Sequence, residues 1–183
     1  YLVWDKFQAC HIKNHSQHNP IIEDVGHIWF SSSNVSKSVT SNSIAVFDVI
    51  PRRLTTHILM GMSFEYYNFD IANKFLSDIQ LVLDRNNIDL SHKIKRIIKT
   101  THKGYSRNLR KLKKELNYVE IHPSIDALQV IQKTKACISM PFTSTAVIAK
   151  QEGKPSVYYD PSGIIQKDDR AAHGILVLSG INE

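Results

Sequence analysis

Apolar residues in this chain fall into short continuous runs alternating with stripes at helical spacing. Ile44-Ala45-Val46-Phe47-Asp48-Val49 is nearly continuous and predicts a strand buried on both faces. Pro51-Arg52-Arg53 then opens a long loop through Gly61. Beyond it Asp70 is the expected cap of a helix whose apolar positions are Ile71, Phe75, Ile79, Val82 and Leu83. Residues 94–99 predict a second strand. Residues 105–116 predict a basic helix with Leu109, Leu112 and Leu116 along one face. Tyr118-Val119-Glu120-Ile121 is a third strand, ended by His122-Pro123, and Ser124 is the expected cap of a helix carrying Ile125, Leu128, Val130 and Ile131. Cys137-Ile138-Ser139-Met140, closed by Pro141, and Ser156-Val157-Tyr158-Tyr159, stopped by Asp160-Pro161, read as two more strands. A helical or irregular stretch from Ile164 leads to the final strand, Ile175-Leu176-Val177-Leu178.

This alternation predicts an α/β fold: a Rossmann-like, doubly wound, mainly parallel sheet of about six strands with helices on both faces. Right-handed crossovers gather the loops that follow the strands on one edge. Those loops are Pro51-Arg52-Arg53, the basic cluster near Lys99, His122-Pro123, the turn at 141–145 and Asp160-Pro161-Ser162-Gly163. The first 43 residues read differently. Residues 1–13 suggest a strand end and a short helix, 21–30 a strand interrupted by Gly26, and 31–43, rich in Ser and Asn, a linker. The expected division is therefore 1–43, an interdomain remnant with linker, and 44–183, the Rossmann-like domain.

With 183 residues, 42% of them hydrophobic and 22% charged, the chain suits one well-buried soluble domain. No apolar run reaches the ~20 residues a membrane-spanning helix needs. Cys10 and Cys137 lie far apart, which favours a reduced, cytoplasmic protein. The chain opens on Tyr1 without an initiator Met and stops directly after an apparent strand, so a piece of a longer protein is expected.

The formal charge of +6 is concentrated in residues 93–114, which contain no acidic residue. Such a block suits nucleic acid, an anionic membrane or phosphorylated small molecules. A nucleic-acid reading motif is missing, so nucleic acid is the weakest of these partners. Lys93, Lys95, Arg96 and Lys99 are the better phosphate candidates, and Lys111, Lys113 and Lys114 suit a solvated face.

The segment 138–161 carries the most specific chemistry. Phe142-Thr143-Ser144-Thr145 supplies N-cap hydroxyls for a helix over 146–152, which Gly153 ends and Pro155 forbids from continuing. A helix N-terminus beyond a parallel strand offers free N–H groups and partial positive charge, a seat for phosphate at Thr143, Ser144 and Thr145. Arg52 and Arg53 could fork onto phosphate oxygens. His122, held at a strand end by Pro123, could hydrogen-bond a donor phosphate. Asp160 either caps the following turn or binds a ribose or sugar hydroxyl. There is no GxGxxG, no P-loop, no G-x-S-x-G and no zinc-ligand spacing. His11, His15 and His18 fit surface positions, no metal site is expected, and no complete catalytic set is visible.

The hydroxyl-rich turn, the small-residue helix, Gly153-Lys154-Pro155 and the strand after them resemble the donor-binding C-terminal domain of GT-B glycosyltransferases of bacterial surface polysaccharide or lipopolysaccharide biosynthesis. Val3-Trp4-Asp5-Lys6-Phe7-Gln8 and Val25-Gly26-His27-Ile28 resemble the crossover between the two GT-B domains. His122-Pro123 is similar to a pair in enzymes that use CMP-sugars, sialyltransferases among them. The resemblance implies one half of a GT-B fold and a CMP- or UDP-linked sugar as substrate rather than cofactor. It further implies a glycan or lipid-linked acceptor, phosphate stabilisation without a metal, and a cytoplasmic site that can sit on the anionic inner membrane. The catalytic base is then expected in an N-terminal domain that this chain lacks, and the fragment alone is expected to be inactive. A Glu that holds the donor ribose in many such enzymes falls here on Ile148, so that contact is absent. The other readings are a GT-B-like epimerase or polyol-phosphate transferase, a non-catalytic nucleotide-binding domain, and a nucleic-acid-binding α/β domain.

Overall fold

Six parallel strands form one sheet. The computed structural model describes residues 1–26, 41–61, 66–95 and 99–182. The strands are β3 (Ser43–Phe47), β4 (Asp89–Lys93), β5 (Tyr118–Ile121), β6 (Ala136–Ser139), β7 (Ser156–Asp160) and β8 (Leu176–Ser179). They lie in the order β5-β4-β3-β6-β7-β8, which counted from β3 is the doubly wound order 3-2-1-4-5-6, and the winding reverses between β3 and β6. Before it, β1 (Leu2–Val3), α1 (Lys6–His15) and β2 (Glu23–Asp24) form a small parallel unit of their own.

Alternate residues of the central strands feed two separate cores. Val46 packs with Phe75, Leu76, Tyr105 and Leu109 from α3 (Phe69–Arg85) and α4 (Lys103–Leu112). Its neighbours Ala45 and Phe47 pack on the opposite side with Ile131 and Ile148, from α5 (Ala127–Lys133) and α6 (Ser144–Gln151). Period-two side chains on a strand require this when both faces are covered. A short α2 (Leu54–Leu59) follows β3, and a 3-10 turn at Arg170–Ala172 precedes β8.

Several boundaries depart from the periodicity. The second strand is Asp89–Lys93, ahead of the expected 94–99, of which 96–98 lie outside the described residues, and it takes polar residues because Ser91, His92 and Lys93 are buried. His92 is fully buried and its Nδ1 meets the Tyr118 hydroxyl at 2.7 Å. Asn68, not Asp70, caps α3, its side chain accepting from the Ile71 N–H at 2.9 Å. Asp126, not Ser124, caps α5 through the Leu128 N–H at 2.7 Å. The basic helix ends at Leu112, and Leu116 is fully exposed. Residues 31–40 of the expected linker lie outside the described residues, and β3 begins at Ser43.

Candidate functional site

A cavity of about 760 Å³ opens at the carboxyl edge of the sheet, where the winding reverses. Its floor is Phe47, Asp48 and Val49 at the end of β3. One wall is Phe142, Thr143, Ser144 and Thr145 between β6 and α6. The opposite wall comes from Lys93 at the end of β4, Lys95 just after it, and residues 123–127 after β5. Trp4 and His173 close one side. Ligands of open doubly wound sheets bind in this crevice.

The turn between β6 and α6 is built to present backbone N–H groups. Thr143 holds the N-cap position, yet its hydroxyl donates back to the Met140 carbonyl at 2.8 Å, and no side chain caps the helix. The Thr145 hydroxyl lies 2.9 Å from that of Ser139. Tyr67 donates to the Pro141 carbonyl and Tyr158 to the Thr143 carbonyl, each at 2.9 Å, so the turn's carbonyls are held from behind. Phe142 adopts a left-handed conformation at φ 61°, which bulky residues rarely accept and which re-aims the chain into the helix. The Ser144 and Thr145 N–H groups therefore have no hydrogen-bond partner among the described residues. The Ser144 hydroxyl is likewise unspent and exposed, while Ala146, Val147, Ile148 and Ala149 are buried and anchor the helix.

Cationic groups face this turn. Lys93 is 9% exposed, and its ammonium donates to the Ile94 and Pro123 carbonyls at 3.0 and 3.1 Å. An ammonium has three donors, so one is left for a ligand. Burial lowers the Lys93 pKa, and the nearby Asp126 carboxylate partly offsets this. Lys95 is exposed at the rim.

The remaining sequence candidates sit elsewhere. His122 is exposed beside the wall, its Nδ1 accepting from the Ser124 N–H at 3.2 Å and meeting the Ser124 hydroxyl at 2.7 Å. Arg52 and Arg53 do not line the cavity. Arg52 bridges Thr101 and directs its guanidinium to the Met60 sulfur at 3.3 Å, and Arg53 is the N-cap of α2. Arg96 lies outside the described residues. Asp160 is fully buried and turned away from the cavity. It accepts from the Ser162 and Ile165 N–H groups, both at 2.8 Å, and from the Ser162 and Tyr66 hydroxyls. Its carboxylate caps the turn, the first of the two roles the sequence allowed it, and Asp160 is not among the residues that line the cavity. Burial alone would raise its pKa, but these hydrogen bonds outweigh that and lower it.

Periodicity passed over the floor of the site. Asp48 lines the cavity at 3% exposure and accepts from the Tyr105 hydroxyl. Its Oδ1 lies 3.1 Å from His92 Nε2, off the line of a hydrogen bond, and His92 in turn meets Tyr118. The signal was present as a lone carboxylate near the end of an otherwise apolar strand. On the Trp4 side, Asp5 caps α1 and pairs with His173 at 2.5 Å, tying the N-terminal unit to the cavity rim. Among the described residues no cluster of three His, Cys, Asp or Glu side chains is placed to hold a metal ion.

Sheet order, two covered faces and a crevice at the switch point define a Rossmann-like doubly wound α/β protein. All 183 residues match the family described as polysaccharide biosynthesis PFTS motif protein, and the chain belongs to that family. Pro141-Phe142-Thr143-Ser144, in the turn that forms the cavity wall, spells the four letters of that description. No curated protein matches the sequence. Among solved structures, "Crystal Structure of TarM" is similar at a TM-score of 0.46 and 14% identity, covering 99% of this chain and 34% of that one. The chain thus spans about a third of that structure's length.

Proposed function

We propose that the switch-point cavity binds the diphosphate or phosphate of a nucleotide-linked sugar, CMP- or UDP-linked, and that the protein transfers that sugar to a glycan or lipid-linked acceptor. The observation that carries the reading is the uncapped N-terminus of α6 facing Lys93 across a cavity of about 760 Å³. Membership of a family described by polysaccharide biosynthesis supports it. As the bond from sugar to phosphate oxygen breaks, negative charge grows on the leaving nucleotide. Two unspent backbone N–H groups, the helix dipole and the Lys93 and Lys95 ammoniums lie where they would stabilise that charge. Tyr67 and Tyr158 keep the N–H groups fixed, so little reorganisation accompanies the step.

Calorimetric titration with CMP, CDP, UDP and GDP tests this. Ser144 is the first helical residue, where proline is tolerated, and Thr143 before it is already extended at ψ 142°. Ser144→Pro therefore removes one N–H group while keeping the helix. We expect saturable binding of one nucleotide, weakened about tenfold by Ser144→Pro, with an unchanged melting temperature. Unaltered binding in that variant, or no nucleotide bound by the wild type, would contradict the assignment.

A further inference from the structure

A second feature of the same edge is independent of the cavity's ligand. Leu54, Ile58, Leu59 and Met60, on and just after α2, are 51%, 67%, 87% and 56% exposed. His57 is the buried residue of this helix, so its apolar residues are largely presented to solvent. Contiguous apolar surface of this kind marks a protein or membrane contact.

Charge decides between them. Residues 49–64 and 93–114 contain no acidic residue. The two segments are sewn together: the Arg53 N–H donates to the Thr100 carbonyl at 2.8 Å, the His102 N–H to the Pro51 carbonyl at 2.9 Å, and Arg52 bridges Thr101. That ladder sets the start of the apolar α2 beside the start of the basic α4. Arg53, Lys99 and Lys103 are exposed there and pair with no carboxylate among the described residues. An exposed apolar ridge rimmed by unpaired cations complements an anionic lipid surface, with hydrocarbon for the ridge and phosphates for the rim.

We propose that α2 docks the protein on an anionic phospholipid bilayer, with Ile58, Leu59 and Met60 entering the headgroup boundary and Arg53, Lys99 and Lys103 against lipid phosphates. The helix follows β3 on the edge where Asp48 and Val49 line the cavity, so docking would hold the cavity mouth near the membrane surface.

Co-sedimentation of the full chain with vesicles of phosphatidylcholine, with and without phosphatidylglycerol, tests the proposal. Binding is expected only with phosphatidylglycerol and is expected to weaken with salt. Ile58→Glu with Leu59→Glu, both exposed, should lower it about tenfold or more without changing the melting temperature. Lys99→Glu with Lys103→Glu should weaken it as well. Absence of binding to phosphatidylglycerol vesicles overturns the proposal, as does wild-type binding by the Ile58/Leu59 variant. A dimer that the Ile58/Leu59 variant abolishes, in a protein that ignores vesicles, overturns it in favour of self-association.

Discussion

Lys93 ties the chemistry of the cavity to a measurable titration. It gives two of its three donors to carbonyls and is shut from water, so the charged form is disfavoured and its pKa lies below the ordinary 10.5. The unfolded chain then binds more protons than the folded one between the lowered value and 10.5. Stability should rise with pH across that window, since unfolding takes up a proton there. Anion binding should fall across the same window, because the ligand needs the ammonium. Lys93→Met should flatten both profiles, and thermal melts and phosphate-ligand titrations at stepped pH would read them. Parallel rather than opposed profiles in the wild type would argue against a role for Lys93 in the site. The sequence offered this lysine as one of four phosphate candidates within a block of ten cations. What separates it from its neighbours is burial and two carbonyl partners, one of them 30 residues away, and no local pattern carries that.

At the scale of elements, β4 shows where pattern reading slips and why. Its sequence, Asp-Leu-Ser-His-Lys, is polar, so the eye moves to the isoleucines that follow. The strand is nevertheless interior, with Leu90 and His92 fully buried between β3 and β5. His92 is tolerated because the Tyr118 hydroxyl meets its Nδ1 and the Asp48 carboxylate lies 3.1 Å from its Nε2, while Tyr105 donates to the other oxygen of Asp48. Removing His92 leaves the buried Tyr118 hydroxyl without this partner and takes the imidazole from beside the Asp48 carboxylate. His92→Ala should destabilise the fold by about 3 kcal/mol, measured by chemical denaturation. A loss under about 1 kcal/mol would mean the network contributes little beyond packing. By contrast β3, β5 and β7 were legible within two residues, because they carry the apolar or β-branched and aromatic runs that a half-buried or fully buried strand requires. The turn between β6 and α6 was legible as a helix start, but the use of its hydroxyls was not. Thr143 and Thr145 bond backwards to the strand end instead of capping forwards, and that reversal leaves the N–H groups open.

For the whole molecule, strand order follows from the alternation of elements, and the switch point follows from the order. Sequence reasoning therefore reached the edge of the sheet where the cavity lies and the turn that forms one of its walls. It did not distinguish which residues of that edge face the crevice. Lys93, Lys95, Thr143, Ser144 and Thr145 do, whereas His122, Arg52 and Arg53 do not line it and Asp160 is spent on the turn at the end of β7. Contacts between residues distant in sequence make that selection, such as Tyr67 with Pro141 and Asp5 with His173. The central claim is that the motif turn and Lys93 together hold the phosphate of a nucleotide. Its most direct test is an amide NMR titration of the ¹⁵N-labelled chain with the tightest-binding nucleotide. The largest shifts should fall on Ser144, Thr145 and Ala146, with a second group at 93–95 and 123–127. Saturable shifts confined to another surface, with the amides of Ser144 and Thr145 unmoved, would contradict it.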